Sequence, residues 1–194
     1  MKILKENSST LVKKAIFGDY SGKIKTFCTM TPENPMKQEV SPEENNKLTK
    51  QFKSLLKRMN IKYTKIYGMY DNKEKSYMLY NITLKDAKFL SKQFNQESFI
   101  FGKSSIEDAI DIAFYVWDGK DYTMQDSVNN VVSADGFVNY YSRHGDFKYN
   151  FPFDLGESFE DVDISYLDKC LDESLISKAR ANARAHFYKK GYLY

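Results

Sequence analysis

A short polar stretch of the chain carries three groups that could act together in nucleophilic catalysis. Ser142, His144 and Asp146 lie at alternate positions in it. In a Ser-His-Asp triad the histidine takes the serine proton and the carboxylate orients the histidine. Such triads are assembled in space from distant segments, so three members within one stretch are more typical of a polar surface loop. We therefore expect no catalytic residue here, although an enzyme with its site in the irregular region after Gly102 stays open.

Metal, cofactor and phosphate chemistry have less support in the residue pattern. His144, His186, Cys28 and Cys170 are far apart in the sequence, whereas zinc sites bring such residues together at short spacings. The nine glycines form neither a GxGxxG pattern nor a Walker A motif. We expect no bound metal and no cofactor.

Nucleic-acid recognition has more support. Tyr63, Lys65 and Tyr67 alternate along a predicted strand and would share one of its faces. Aromatic and lysine side chains on the sheets of RNA-binding ferredoxin-like domains stack bases and contact the backbone. Against this use, Ser98–Phe101 lacks the glycine/aromatic ribonucleoprotein motif, and the net charge is only +3. Tyrosine is also simply a good strand residue, so base stacking is an alternative interpretation.

The C-terminal segment separates its charges sharply. Asp154–Glu173 holds eight acids and one lysine, whereas Lys178–Lys190 holds five Lys or Arg residues and no acid. The alanines of the basic part favour a helix. The simpler interpretation is that the two parts pair with each other, and the alternative is a projecting helix that contacts a partner. The candidate contact residues of the whole chain are Tyr63, Lys65, Tyr67, Arg180, Arg184, Phe187, Tyr188, Lys189, Lys190 and Tyr192.

The composition is ordinary for a globular protein. The 194 residues, 42% hydrophobic and 28% charged, fit one domain, or one domain with an elaborated terminus, and are enough for a sizeable core. No apolar run approaches the roughly 20 residues of a membrane span, and the polar break at Lys5–Asn7 argues against a signal peptide. Two cysteines in no motif are typical of a reducing compartment. We expect a cytoplasmic protein with no membrane partner.

Helix caps are the clearest local signals in the sequence. Ser41 followed by Pro42 and Glu44 forms a capping box, and Thr83 with Asp86 three residues later can cap a second helix. Apolar side chains at spacings of three and four then give each helix one buried face. They are Leu48, Phe52, Leu55, Leu56 and Met59 in the first helix and Leu84, Ala87, Leu90 and Phe94 in the second.

Strand patterns surround these two helices. Ile24–Met30 alternates like a strand, Ile61–Tyr70 and Lys75–Tyr80 read as a hairpin turned at Asp71–Glu74, and Ser98–Phe101 is a short aromatic strand closed by the following glycine. The order strand, helix, strand, strand, helix, strand predicts an α+β fold. Its expected form is the split β-α-β antiparallel sheet of ferredoxin-like folds, with both helices on one face.

The chain divides into four segments on this interpretation, and the fold includes a C-terminal α/β extension. Residues 1–23 form an N-terminal arm, 24–103 the ferredoxin-like core, 104–153 additional strands and a helix packed on that core, and 154–194 a charge-segregated helical C-terminus. The third segment is expected to contain a helical turn at Ser105–Ala109, a strand at Ile112–Trp117, a turn at Asp118–Asp121, a helix near Ala134–Ser142, a polar loop at Ser142–Asp146 and an edge strand at Phe147–Phe153.

Residues 26–103 also resemble a known family. The motifs are Asn34-Pro35, Glu44-Asn45 at a helix start, Leu48, Leu55, Tyr63, Gly68, Glu74-Lys75-Ser76 and Gln96–Gly102. They are similar to the pattern of domain of unknown function 3293, a family of small bacterial and phage proteins. The chain departs from the pattern after Glu44-Asn45, where members often place an arginine and Asn46-Lys47 stands instead. The resemblance carries over no catalytic residues and implies a phage or mobile-element origin.

Several classes of function are open. We expect a phage or mobile-element accessory protein that binds a host protein, with inhibition of a host defence nuclease, in the manner of an anti-CRISPR protein, as the specific hypothesis. The tyrosine-rich surface, the separated charges and the resemblance support it. The first alternative is a nucleic-acid-binding domain that uses the aromatic and lysine sheet face and the basic C-terminal helix. A virion-associated protein and an unrecognised enzyme are further alternatives.

Overall fold

The computed structural model describes residues 8–19, 21–70, 72–104, 110–134 and 141–153. The helices in these ranges are α1 (Ser8–Phe17), α2 (Pro42–Arg58) and α3 (Leu84–Gln93). The strands are β1 (Thr26–Met30), β2 (Lys62–Tyr70), β3 (Asn72–Tyr80), β4 (Ser98–Ser104), β5 (Ile110–Trp117), β6 (Tyr122–Val128), β7 (Val132–Ser133), β8 (Tyr141–His144) and β9 (Phe147–Asn150). A 3₁₀ turn, Pro35–Lys37, lies between β1 and α2.

The nine described strands form one sheet in the order β6-β5-β4-β1-β3-β2-β8-β9-β7. Every neighbouring pair is antiparallel. The predicted mixed fold with an antiparallel sheet is therefore confirmed. The strands of the expected core lie side by side in the middle, as β4-β1-β3-β2, and strands from the later part of the chain extend the sheet on both sides.

Both predicted helix caps are confirmed. The Ser41 hydroxyl accepts a hydrogen bond from the backbone N–H of Glu44 at 3.1 Å. The Thr83 hydroxyl does the same for Asp86, also at 3.1 Å. Each cap satisfies one of the backbone donors that the first turn of a helix leaves without an intrahelical partner. The helices therefore begin where the sequence predicts.

Helices α2 and α3 cover one face of the sheet, which we call the helix face. Phe52 of α2 is fully buried there, with its ring centroid 5.4 Å from that of Tyr77 on β3 and 5.0 Å from that of Phe94 after α3. The buried residues of this face are Cys28, Met30, Phe52, Leu56, Tyr77, Leu79, Ile82, Ala87, Leu90, Phe94, Phe99 and Tyr122. Cys28 is a free thiol, and burial raises its pKa well above the usual value.

The opposite face of the sheet is also buried. Helix α1 and the segment that runs from β9 to Phe153 pack against it. Its buried residues, which alternate along the central strands with those of the helix face, are Val12, Ala15, Ile16, Ile24, Phe27, Ile66, Met78, Tyr80, Ile100, Ile110, Ile112, Tyr149, Phe151 and Phe153. The expected N-terminal arm thus contributes a helix to the core.

Two predicted element ends are wrong inside the expected core. The hairpin turn is shorter than Asp71–Glu74, because Lys73 and Glu74 pair with Met69 and Gly68 in the ladder between β2 and β3. Gly102 does not close β4, which continues to Ser104. A glycine is required at this interior position because a Cβ there would overlap the buried ring of Phe27.

The expected loop at Ser142–Asp146 is also wrong. Tyr141–His144 is a strand that pairs with β2 on one side and β9 on the other, and only Gly145 and Asp146 form the turn. Its side chains alternate between the two faces of the sheet, and Ser142 lies on the face that α1 covers, which explains why it is buried. The expected helix near Ala134–Ser142 falls mostly on residues 135–140, outside the described residues, and its last two positions belong to this strand.

The expected edge strand at Phe147–Phe153 is shorter and is not at an edge. It spans Phe147–Asn150 and pairs with both β8 and the two-residue β7. By contrast, the strand expected at Ile112–Trp117 is present and begins two residues earlier, and Asp118–Asp121 forms the turn to β6. The predictions for Ser105–Ala109 and for residues 154–194 lie outside the described residues.

Candidate interaction surface

Tyr63, Lys65 and Tyr67 lie on the helix face of β2. They stand opposite Leu79, Tyr77 and Lys75 of β3 in the antiparallel ladder. Strand alternation places all three on one side, because side chains two residues apart point the same way. The opposite face of the sheet cannot be the contact surface, since α1 and the segment after β9 cover it. The three residues therefore lie on the helix face, where Tyr63 contacts Tyr77, the ring that Phe52 of α2 also contacts.

Strands β8 and β9 extend this row of side chains. Arg143 of β8 stands opposite Tyr67, and Lys148 of β9 stands opposite Arg143. Tyr141 lies two residues before Arg143 and therefore points to the same side. We call Tyr63, Lys65, Tyr67, Tyr141, Arg143 and Lys148 the tyrosine–cation surface.

The cations of this surface lie over tyrosine rings. Lys65 Nζ is 4.6 Å from the ring centroid of Tyr67, and Arg143 Cζ is 5.9 Å from the same centroid. Lys148 Nζ is 4.8 Å from the ring centroid of Tyr141. A cation within about 6 Å of an aromatic face gains roughly 0.5–1 kcal/mol at an exposed site. The rings therefore restrain the positions of three long side chains without neutralising their charge.

The charge of this surface is positive. Among the described residues, no Asp or Glu lies within ion-pair distance of Lys65, Arg143 or Lys148. The next residue in the cross-strand row, Lys75, differs because its Nζ is 3.1 Å from Glu33 Oε1. Three cations that pair with no described acid raise the local potential and attract an anionic partner.

The basic C-terminal candidates lie outside the described residues. These are Arg180, Arg184, Phe187, Tyr188, Lys189, Lys190 and Tyr192. Among the described residues, the structure brings together the β2 members of the predicted set, and it adds Tyr141, Arg143 and Lys148, which the sequence analysis did not select. The missed signal was the alternation of Tyr141 and Arg143, which the polar Ser142 and His144 obscured.

A second polar site lies around the loop that follows β1. The backbone N–H of Asn34 donates to the side-chain oxygen of Asn45 at 3.0 Å, and the Asn45 amide donates back to Asn34 Oδ1 at 2.9 Å. Asn34 Nδ2 also donates to Glu74 Oε1 at 3.1 Å. Beside them, the buried Glu33 accepts from the side chain and the backbone N–H of Lys75 at 3.1 and 3.3 Å. We call Glu33, Asn34, Asn45, Glu74 and Lys75 the Asn34 network.

The network surrounds an unusual backbone segment. Asn34, Met36 and Lys37 have φ angles of 50°, 51° and 58°, in the left-handed region that non-glycine residues rarely adopt. Each such residue costs on the order of 1–3 kcal/mol and persists only where its surroundings impose it. The Met36 N–H donates to the Asn95 carbonyl at 2.7 Å, and Lys37 Nζ pairs with Glu97 Oε2 at 2.9 Å. These contacts hold the loop and leave Met36 43% exposed.

Glu74 is the least favourably placed charge in the network. Burial raises the pKa of its carboxyl above the ordinary value, and the Glu33 carboxylate raises it further. The hydrogen bond from Asn34 and the more distant charge of Lys37 act in the opposite direction. Glu33 has a partner in Lys75, whereas no described cation lies within 4 Å of Glu74. The folded state therefore favours the protonated form of Glu74 more than the unfolded chain does.

Residues 30–99 match the family model described as protein of unknown function (DUF3293). The resemblance expected from the motifs is thereby confirmed for this segment of the chain. The match contains the whole Asn34 network and the three β2 members of the tyrosine–cation surface. Tyr141, Arg143 and Lys148 lie beyond it. No curated protein and no solved structure matches the chain significantly.

The Asn34 network is built from four polar residues of the quoted DUF3293 motifs, Asn34, Asn45, Glu74 and Lys75, and from Glu33 next to them. Asn34-Pro35, Glu44-Asn45 and Glu74-Lys75 are separated in the sequence, and their convergence was not predicted. Gln96 also reaches the network, where its side-chain amide donates to the Glu33 carbonyl at 3.4 Å. The available signal was that these motif positions are polar although the helix and strand patterns do not require them.

His144 has partners that its expected loop position did not suggest. Its Nδ1 is 3.0 Å from the Lys65 carbonyl oxygen, and its Nε2 is 3.0 Å from Ser8 Oγ. A serine next to an oriented histidine is the arrangement of a nucleophile and its base. Both hydrogen bonds are exposed to solvent, however, and they connect α1 to β2. We therefore assign His144 to holding α1 against the sheet.

No described helix is both long and apolar enough to cross a membrane.

Proposed function

We propose that this protein binds nucleic acid through the tyrosine–cation surface. The observation that carries the proposal is the set of three cations, Lys65, Arg143 and Lys148, held over tyrosine rings without an acidic neighbour among the described residues. Contacts between cations and phosphates dominate affinity for nucleic acid and make it depend on salt. The net charge of +3 is low for such a protein, so a local concentration of charge has to supply the attraction.

The binding mode differs from the one expected from the sequence. In place of an open face on a four-stranded sheet, the contact surface is the row of side chains on β2, β8 and β9.

The strand order β4-β1-β3-β2 supports the further proposal that residues 24–103 are a ferredoxin-like split β-α-β unit. On this proposal β8 and β9 are additions that complete the binding surface.

A charge-matched pair of variants tests the proposal. One variant carries Lys65→Ser, Arg143→Ser and Lys148→Ser. The control carries Lys85→Ser, Lys103→Ser and Lys120→Ser, which remove three exposed charges from α3, β4 and the turn before β6. Affinity for fluorescent single-stranded and duplex oligonucleotides is measured by anisotropy across a series of salt concentrations.

We expect only the first variant to lose affinity. Its log–log dependence on salt should fall by about 2, since each phosphate contact contributes roughly 0.7 on single strands. Equal losses in the two variants would mean that net charge alone attracts the oligonucleotide, and the proposed surface would be rejected. An absence of binding by the unmodified protein at low salt would reject nucleic acid as the partner.

The second candidate function is binding of a host protein, as an accessory factor of a phage or mobile element acting in the host cytoplasm. Met36 favours it, because an exposed apolar side chain stands on a loop whose strained backbone is held by the Asn34 network. Pre-organised apolar contacts of this kind suit protein interfaces. For an inhibitor of a defence nuclease, the Met36 loop is the more suitable contact, since the tyrosine–cation surface would be repelled by a cationic nucleic-acid channel.

Capture from nuclease-treated bacterial lysate separates the two functions. A protein partner bound at the Met36 loop should stay bound at high salt. Met36→Ser should abolish its capture, whereas the variant with serine at positions 65, 143 and 148 should still capture it. Capture that nuclease treatment abolishes would instead indicate a partner held through nucleic acid. A partner unaffected by Met36→Ser would exclude the loop as its contact.

A further inference from the structure

We infer that the tyrosine–cation surface selects single-stranded nucleic acid, with one base stacked on Tyr63 and the phosphates held by Lys65, Arg143 and Lys148. This inference rests on the proposed function and assigns separate tasks to residues that look alike in the sequence. It depends on which tyrosine ring is available to a base and on where the cations lie relative to that ring.

Tyr63 is the available ring. Lys65 and Arg143 lie over the ring of Tyr67, and Lys148 lies over that of Tyr141. No described cation lies over Tyr63, which is 39% exposed. Its ring stands nearly perpendicular to the buried ring of Tyr77, at 79° with centroids 5.6 Å apart. An exposed ring fixed by a buried neighbour is a stacking platform that loses little conformational freedom on binding.

The spacing of the surface suits an extended strand of nucleotides. Tyr63 and Tyr67 are four residues apart on β2, which corresponds to about 13 Å. From Tyr67 the row crosses two strands to Lys148, a further distance of roughly 10 Å. The cations therefore follow a path that leads away from the stacking ring, and a single phosphate cannot satisfy them all. A single strand with its first base on Tyr63 can place successive phosphates along this path.

A duplex fits the same residues poorly. Its bases are stacked inside the helix, so placing one on Tyr63 requires that base to be unpaired and unstacked first, which costs free energy. The duplex can still contact the cations through its phosphates. Stacking is sequence-tolerant because every base has a π-face, and it contributes enough to distinguish the two forms. We therefore expect single strands to bind more tightly than duplexes of equal length.

Three probes on the unmodified protein test the inference. They are a thymidine oligonucleotide of about eight nucleotides, within the range of about 4–16 that such sites cover, an abasic strand with the same number of phosphates, and a duplex of the same length. We expect the thymidine strand to bind tightest. Tyr63→Ala should weaken its binding by roughly 5- to 150-fold, the measured range for one stacked base, and should leave the abasic strand unaffected.

Tyr63→Phe is the matched control because it keeps the ring and removes only the hydroxyl. It should bind the thymidine strand nearly as well as the unmodified protein does. Equal affinity of the unmodified protein for the thymidine and abasic strands would overturn the inference and leave the proposed function standing. Tighter binding to the duplex would also overturn it. Failure of all three probes to bind would overturn the inference together with the proposed function.

Discussion

The tyrosine–cation surface on β2, β8 and β9 and the Asn34 network around the loop after β1 deal with charge in opposite ways. In the network, Glu33 is buried against Lys75, and Asn34 and Asn45 exchange two hydrogen bonds. On the surface, tyrosine rings lie next to the cations, and no described acid pairs with them. Paired polar groups are typical of a structure that fixes a backbone. Charges left without an acidic partner are available to another molecule.

Helix α2 carries Asn45 of the network and packs, through Phe52, on Tyr77 beneath Tyr63. We expect a substitution in its buried face to have the largest effect on stability, because it leaves a cavity in the core. Phe52→Ala removes a fully buried ring that contacts Tyr77 and Phe94. We expect the free energy of unfolding to fall by about 3–5 kcal/mol, because a large core cavity remains. Chemical denaturation measures the loss. An unchanged stability would show that this helix is not packed on the sheet as described.

The next effect separates the two regions. Asn34→Ala removes the side-chain bonds to the Asn45 amide and to Glu74, keeps the backbone N–H bond to Asn45, and places alanine at a φ of 50°. We expect a loss of about 2–4 kcal/mol in the free energy of unfolding, since polar partners become unsatisfied and the left-handed residue is strained. Oligonucleotide affinity of the folded protein should not change.

Asn34→Gly serves as the control for this substitution. Glycine tolerates the left-handed backbone and still removes the side-chain bonds. It should therefore be more stable than Asn34→Ala by about 1 kcal/mol, the cost of the backbone strain. Equal stability of the two variants would mean that the network, and not the backbone, accounts for the whole loss. A large fall in oligonucleotide affinity would contradict the separation of the two regions.

The sequence predicts a region well when its contacts join residues that are close together in the chain, and poorly when they join distant segments. Tyr63, Lys65 and Tyr67 share a face because of strand alternation, which needs only adjacent residues. The caps at Ser41 and Thr83 are local in the same sense, and both are present. The Asn34 network joins segments that lie 11 and 40 residues apart, so no local pattern predicts it.

The errors have the same physical origin. Ser142 and His144 were expected in a loop because they are polar, but pairing of their strand with β2 and β9 outweighs that local preference. Gly102 was expected to end a strand because glycine weakens strands in general. Here the strand continues through Gly102, because the ring of Phe27 occupies the space that a side chain would need. Phe27 lies 75 positions earlier in the chain, so no local pattern indicates this contact. The surface proposed around Tyr63 likewise includes cations of β8 and β9, which no pattern near Tyr63 in the sequence indicates.

A smaller effect tests whether the rings restrain the cations. Tyr67→Leu removes the ring under Lys65 and Arg143 and keeps an apolar side chain at the same position. We expect a loss of about 1–2 kcal/mol in the free energy of unfolding, from two cation–π contacts. Affinity for the abasic strand should also fall, because the two cations become less restrained. Tyr67→Phe keeps the ring face, so its stability and its affinity for the abasic strand should equal those of the unmodified protein. An equal loss in Tyr67→Phe would assign the effect to the hydroxyl.

The smallest effect concerns Glu74 and has the opposite sign. Glu74→Gln keeps an oxygen that accepts from Asn34 and removes a charge that burial and Glu33 disfavour. Because the pKa of Glu74 is raised in the folded state, ionisation destabilises the protein as the pH rises above the ordinary glutamate value of 4.5. We expect the variant to be slightly more stable than the unmodified protein at neutral pH. This gain should shrink as the pH falls and vanish below about 4, where the carboxyl is protonated in both states.

Thermal unfolding of the two proteins between about pH 4 and pH 8 measures this difference. Glu97→Gln is the control, since it removes a partly exposed carboxylate that pairs with Lys37 outside the network. It should give no comparable gain at neutral pH, because the removed charge has a cationic partner. A gain for Glu74→Gln that does not depend on pH would mean that the amide fits better for reasons unrelated to charge. A loss at neutral pH would show that the Glu74 carboxylate stabilises the network, and Lys37, the cation whose charge lowers the pKa of Glu74, would then be the residue to substitute next.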